Sequence, residues 1–219
     1  MAMVTGAALA AMFGGRPGNR GRVGRSAGWV AVDPVRAAAA VADARRIVVL
    51  GTSGVGKSTL AAQLAGRLGV PCVELDALYW AAGWTKAPVE QFRARIVAAT
   101  AGQGWIVDGN YARARDLVWP RAQVFVWLDY SLATVFARLL RRTLRRWWHR
   151  EVLWEGNRER LRVQLFHRDS LLLWVLRTHG ARRREFARLL VDPALDHVAA
   201  VRVRTPHAAE RLLTALAAR

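Results

Sequence analysis

Eight consecutive residues, Gly51-Thr52-Ser53-Gly54-Val55-Gly56-Lys57-Ser58, fit the pattern G-x-x-x-x-G-K-[ST] in full. Each position has a chemical reason. The glycines permit backbone angles that turn successive N–H groups inward onto an anion. A helix starting near Lys57 adds the positive end of its dipole. Lys57 reaches the β- and γ-phosphates, and the Ser58 hydroxyl ligates Mg²⁺. Gly51–Ser58, with Thr59 beside them, therefore form the expected site for ATP and magnesium.

Three acids end apolar runs: Asp76 after Val73-Glu74-Leu75, Asp108 after Trp105-Ile106-Val107, and Asp129 after Phe125-Val126-Trp127-Leu128. A carboxylate at a strand end beside a phosphate loop can hold magnesium directly or through water. Asp108 is assigned to the metal with Ser58, because Gly109 follows and the chain must turn sharply there. Asp129 is expected to cap the helix that begins near Leu132. Asp76 reads as an acceptor-hydroxyl binder or general base, or as a solvated turn. Arginine supplies the other half of phosphoryl-transfer chemistry, because planar guanidinium groups neutralise charge developing on the transferring oxygens. Arg113 and Arg115 follow Asp108. Arg138 and Arg142 lie one helical turn apart. Across residues 130–190 there are fifteen Arg against five acids.

The elements that must position these residues alternate between strand and helix. Arg46–Leu50 is a continuous apolar run, the mark of a buried parallel strand. Leu60, Ala61, Leu64, Ala65 and Leu68 recur at helical spacing, and Gly69 ends that helix. Val70–Leu75, Trp105–Asp108, Gln123–Leu128 and His197–Val203 read as further strands. Helices are expected over Pro88–Thr100, Leu132–Trp148, Asp169–Leu190 and Pro206–Ala218. The pattern predicts an α/β fold with a five-stranded parallel sheet flanked by helices. A helical, Arg-rich lid is expected over about residues 142–185. Residues 1 to about 44 have no hydrophobic period and read as a disordered extension, although Ala37–Arg45 has the composition of a short helix leading into the domain.

The chain has 219 residues, ten Trp and a formal charge of +18. Lys occurs only at Lys57 and Lys86, so the positive charge is almost all Arg. That balance attracts polyanions, and nucleic acid, anionic lipid and phosphorylated small molecules are all permitted partners. Arg and Ala richness together suggest a GC-rich bacterial genome. Cys72 is the only cysteine, which excludes an internal disulfide and argues against a Cys-based metal site. No apolar run reaches the roughly 20 residues of a membrane span, and no cluster of positive charge precedes the apolar start. A cytoplasmic monomer is the expectation.

Asp108-Gly109-Asn110-Tyr111, closed by Arg113, resembles the Asp-Gly strand-end segment of adenylate kinases. Leu128-Asp129 with Arg138 and Arg142 resembles the same enzymes' strand and lid-entry helix, where the first Arg stacks on the base and the second contacts phosphate. The phrases Glu74-Leu75-Asp76-Ala77-Leu78-Tyr79-Trp80, Gly83-Trp84 and Leu153-Trp154-Glu155-Gly156-Asn157-Arg158-Glu159 are closer to a bacterial group named adenylate-kinase-like or topology modulation protein FlaR-like. The resemblance runs from about residue 45 to the C-terminus. It implies a nucleotide-kinase core of P-loop nucleoside-triphosphate hydrolase type, with Arg138 on the nucleotide and Arg142 and Arg158 as catalytic residues of a mobile lid. The acceptor-nucleotide segment typical of adenylate kinases is missing. Asp76 and its neighbours stand there instead, which looks more like shikimate and gluconate kinases. The expected function is a small-molecule kinase with catalytic Lys57 and Asp76, and with its acceptor between Asp76, Tyr79, Trp80 and Arg113. The rival expectations are a nucleic-acid-linked ATPase or polynucleotide kinase, drawn from the charge and from Trp147-Trp148 in an Arg cluster, and a non-enzymatic nucleotide-binding regulator.

Overall fold

The structure is a computed structural model that describes residues 29–30, 34–148 and 170–218. In chain order the elements are β1 (Trp29–Val30), α1 (Pro34–Ala42), β2 (Arg46–Gly51), α2 (Lys57–Leu68) and β3 (Cys72–Glu74). Next come α3 (Leu75–Tyr79), a small antiparallel pair β4 (Trp80–Ala81) and β5 (Thr85–Lys86), α4 (Val89–Ala99), β6 (Trp105–Asp108) and α5 (Arg115–Val118). The chain continues through β7 (Val124–Leu128), α6 (Leu132–Trp148), α7 (Leu171–Leu189), β8 (Ala199–Val203) and α8 (Pro206–Ala217).

The expected five-stranded parallel sheet is present in the order β3-β6-β2-β7-β8, and the two-residue β1 extends it along β8. The central strands are apolar at nearly every position because helices cover both faces. Ile47, Val48, Val49 and Leu50 have no exposed surface, and Trp105, Phe125 and Trp127 fill the layers around them. Strand order reverses at β2, since the chain leaves β2 for β3 beyond β6, returns to β6, and then crosses to β7. That reversal opens a crevice at the carboxyl ends of β2 and its neighbours, where ligands collect in such sheets. The register sets Val49, Asp108 and Glu74 side by side, with Gly51 beside Leu128.

Helix ends follow local chemistry. Gly69 ends α2 at φ 64°, its N–H bonding to Ala65 O. Thr205 caps α8 by accepting from the Ala208 N–H, and Ser170 caps α7 by accepting from Leu173. The start of α6 departs from expectation. Ser131 Oγ accepts from the Thr134 N–H at 3.2 Å, so Ser131 is the cap. Asp129 is instead buried between Arg183 Nε (2.8 Å) and Arg202 Nε (2.8 Å). It anchors α7 and β8 to the end of β7, because a buried carboxylate needs cations more than a helix end needs one more acceptor.

Two expected boundaries move. Residues 34–44 belong to the folded unit and not to a disordered extension. Helix α1 packs on α8, with Ala37, Ala38, Val41 and Ala44 buried. Residues 1–28 of that expected extension lie outside the described residues. At the other end, α7 begins inside the expected lid of residues 142–185, yet Leu172, Trp174, Val175, His179 and Arg182 are buried against the body. His179 Nε2 donates to Tyr130 O at 3.1 Å, and Glu185 joins Arg182 (3.1 Å) to Arg115 (2.8 Å) on α5. Residues 171–185 are therefore part of the body. Residues 149–169, including Arg158, lie outside the described residues.

Removing residues 1–44 takes four buried apolar positions from the side of α8, a loss of about 3 kcal/mol or more. A domain of this length should then melt roughly 6–12 °C lower by calorimetry. An unchanged Tm would show that α1 contributes nothing to the fold.

Candidate functional site

The phosphate loop fills the turn between β2 and α2. Gly56 sits at the N-cap of α2 with φ 108°, and no side chain caps the helix. The first N–H groups of α2 are thus left for an anion from outside the helix. Gly54 (φ 79°) and Gly56 are also packed tightly from above by α6. A Cβ on Gly54 would stand 2.9 Å from Leu139 Cβ, and one on Gly56 would stand 2.8 Å from Arg138 Nη2. Lys57 Nζ folds back across the loop and donates to Thr52 O at 3.3 Å. Thr52 and Val55 are buried, Ser53 is half-buried, and Ser58 and Thr59 are exposed at the mouth.

Asp108 at the end of β6 is the electrostatic centre of the site. It is only 7% exposed, and its Oδ1 has no hydrogen-bond partner. The Ser58 hydroxyl bonds to the same carboxylate. Burial pushes its pKa above the usual carboxylate range. Lys57 and Ser58 pull it down, while Asp76 and Glu74 push it up again. A buried, unpaired carboxylate oxygen beside a hydroxyl and two further acids is a costly arrangement unless a cation completes it. Two hard oxygen donors from the protein, to be completed by phosphate and water oxygens, fit Mg²⁺. Burial first, and then the charges of Asp108 and Glu74, lift the Cys72 thiol to about 11, so Cys72 stays an uncharged strand residue.

Asp76 stands in the first turn of α3, half-buried. Its Oδ1 accepts a hydrogen bond from the Tyr111 hydroxyl. Tyr111 lies in a block of aromatic rings, with centroids 4.8 Å from Tyr79 and 5.3 Å from Phe92. Tyr79 in turn meets Trp80 edge-on at 5.1 Å, and Trp80 meets Trp84 at 5.7 Å. Tyr79 and Trp80 were expected to line the acceptor pocket. Their exposures of 1% and 4% place them in the core behind Asp76. A short helix after a strand does not reveal from spacing alone which side faces in, and large rings go inward by their area.

Arg113 is exposed just beyond this block and acts electrostatically on the Tyr79 hydroxyl. Its backbone carbonyl accepts from Arg93 Nη1 at 2.8 Å, and Arg93 also forks onto Asp116 at 2.9 and 2.6 Å. Arg138 reaches over the loop at Gly56, its guanidinium carbon 5.9 Å from the Tyr130 ring centroid. Arg142 is half-buried one turn further along α6. The structure thus gathers Gly51–Thr59, Asp108 and Arg138 into one locus and sets Asp76 at the neighbouring strand end. Glu74 and Tyr111 received no role from the sequence. Both stand in acid-containing phrases at strand ends, a signal that marks the neighbourhood without marking the residue.

No protein-family model matches the chain, and no curated protein sequence matches it significantly. Among solved structures, the shikimate kinase of Bacteroides thetaiotaomicron is 16% identical with a TM-score of 0.47, covering 79% of this chain and 96% of that one. A gluconokinase from Sinorhizobium meliloti 1021 is 23% identical with a TM-score of 0.44, covering 79% and 91%. The shikimate kinase of Acinetobacter baumannii, solved with shikimate, is 16% identical with a TM-score of 0.44, covering 81% and 93%.

Asp108→Asn tests the electrostatic account. The folded state raises the pKa of Asp108, so the native protein binds this proton more readily than the unfolded chain does. Wild-type stability therefore falls as pH rises above the ordinary carboxylate range. The amide removes that penalty. The nucleotide-free variant should melt higher than wild type at pH 7–8, with the gap closing toward pH 4. Its magnesium-dependent ATP affinity should fall about 10- to 100-fold. A variant that melts lower at pH 8, or that keeps its magnesium dependence in titration calorimetry, contradicts the assignment.

Proposed function

We propose that this chain is an ATP-dependent phosphotransferase of the nucleoside-monophosphate-kinase-like class, which moves the γ-phosphoryl group of ATP to a hydroxyl on a small acceptor. The observation that carries the reading is the placement of a phosphate loop, an unsatisfied buried Asp108 and a tethered Asp76 at adjacent carboxyl ends of β2, β6 and β3.

In this reading the backbone N–H groups of Gly51–Ser58 hold the ATP phosphates, and Lys57 swings from Thr52 O to neutralise their charge. Ser58 and Asp108 would hold Mg²⁺, which when bound offsets charge between the phosphates. Arg138 flanks the nucleotide beside Gly56. Arg142, one turn beyond Arg138, and Arg158, which lies outside the described residues, would serve to close the site against water, since an open site would lose ATP to hydrolysis. The acceptor oxygen forms a bond to the γ-phosphorus while the bond from that phosphorus to the bridging oxygen of ADP breaks. The hydroxyl proton passes to Asp76. A phosphate acceptor is disfavoured by charge. Glu74 and Asp76 stand at the neighbouring strand end, and each unit charge at about 5 Å would repel it by about 3 kcal/mol at an effective dielectric near 20. Among the described residues, Lys57 acts on Asp108 and Arg113 stands exposed at the margin.

ATP consumption against hydroxyl metabolites, nucleotides and 5′-hydroxyl oligonucleotides tests the reading. Lys57→Ala should lower turnover about 10²- to 10³-fold with the fold intact. Asp76→Asn should cut transfer to the true acceptor by orders of magnitude and spare ATP binding. Wild-type turnover in Lys57→Ala, or efficient phosphorylation of AMP by Asp76→Asn, would overturn the proposal.

One observation favours a second reading, in which the hydroxyl belongs to a nucleic acid. Trp147 and Trp148 are 49% and 76% exposed at the end of α6, beside exposed Arg141 and Arg145, a combination suited to stacking on bases and pairing with phosphates. Affinity for a single-stranded oligonucleotide should then fall steeply with salt, with a log–log slope of about −3 or steeper. A flat salt dependence removes this reading.

A further inference from the structure

The Asp76 carboxylate does not stand alone. The Tyr111 hydroxyl donates to its Oδ1, and the same hydroxyl is hydrogen-bonded to the side chain of Trp80. The direction of this chain is fixed by chemistry. An indole N–H is a donor only, so Trp80 must donate to the Tyr111 oxygen. The single tyrosine proton is then committed to Asp76. Burial, reinforced by the Asp76 charge, lifts the Tyr111 pKa far above its ordinary value, so the phenol keeps that proton.

The clamp is rigid. Tyr111 is 3% exposed, and its ring is wedged between Tyr79 and Phe92. Trp80 is 4% exposed, and its backbone N–H is tied to Asp76 O at the end of α3. By contrast Asp76 sits on a five-residue helix, half-buried, and no described residue bonds to its Oδ2. Without the clamp its carboxylate would rotate about two side-chain torsions.

We infer that Tyr111, oriented by Trp80, is a positioning residue that fixes the Asp76 carboxylate and restricts the ligand at Asp76 Oδ2 to a hydrogen-bond donor, a neutral hydroxyl rather than a phosphate. This inference rests on the proposed acceptor role of Asp76. With one oxygen saturated by the phenol and no cation among its hydrogen-bond partners, the free oxygen can only accept. A hydroxyl held there has its lone pair turned away from Asp76, as attack on phosphorus requires. Orientation of this kind is worth one to two orders of magnitude in rate when lost.

The test is a double-mutant cycle of Tyr111→Phe and Asp76→Asn. Its readouts are transfer to the best acceptor from the screen and slow phosphate release from ATP, where water replaces the acceptor. Tyr111→Phe should lower kcat about 10- to 100-fold and leave ATP affinity and KM for ATP within about twofold. In the Asp76→Asn background it should cost nothing further, because a residue that acts only through Asp76 has nothing left to orient. Trp80→Phe, which keeps a ring and removes the N–H, should give a smaller loss of the same kind, and it carries the test if Tyr111→Phe does not fold. An active Tyr111→Phe alongside a crippled Asp76→Asn overturns this inference and leaves the acceptor reading standing. Losses that multiply in the double variant also overturn it, by showing a merely structural tyrosine. Full activity in Asp76→Asn overturns the acceptor reading itself, and the clamp with it.

Discussion

The contact between α6 and the phosphate loop is the constraint on which the rest of the structure depends. Gly54 and Gly56 lie so close to Leu139 and Arg138 that neither position has room for a Cβ. The positive φ angles at both positions would add strain of about 1–2 kcal/mol for any other residue. That closeness means that α6 forms the roof of the loop and carries Arg138 onto it. It also means that α6 must be held accurately. Its root is secured by Ser131 at the cap, by Asp129 bonded to Arg183 and Arg202, and by His179 on Tyr130 O. These hydrogen bonds and ion pairs thus set the height of the roof.

Beneath the loop the sheet accepts an electrostatic cost. Parallel register places Glu74 beside Asp108, and Asp76 follows two residues later. Three carboxylates converge where, among the described residues, Lys57 is the cation that favours the charged form of Asp108, with the Ser58 hydroxyl beside it. Natural folds tolerate such arrangements at functional sites, where ligand binding relieves them. On the proposed reading the same cluster would make the acceptor side of the crevice repellent to phosphate and receptive to a hydroxyl, while Arg138 and Arg113 lie at its margins.

Much of this was legible in the sequence. The loop is contiguous, so its eight residues specify one local backbone and one ligand chemistry. The central strands announce themselves as unbroken apolar runs, and Asp108 follows from its place at a strand end before a glycine. Other features depend on contacts distant in the chain. Helix α1 buries mainly alanines, which carry almost no hydrophobic signal, and so it merged with the extension before it. The role of Asp129 depends on Arg183 and Arg202, 54 and 73 residues away. Tyr79, Trp80 and Tyr111 show only as aromatic residues near acids. Which of them faces ligand, and which stands behind, is decided by packing against Phe92. Arg158 and the centre of the expected lid lie outside the described residues.

The central claim concerns the bond that is made, and ³¹P NMR of a reaction with ATP, Mg²⁺ and the acceptor identified by screening reads that bond directly. The account predicts a new phosphomonoester resonance growing in step with ADP, and its absence when Asp76 is changed to Asn. A phosphoanhydride product, as from a nucleoside monophosphate, or inorganic phosphate alone with every acceptor, would contradict it.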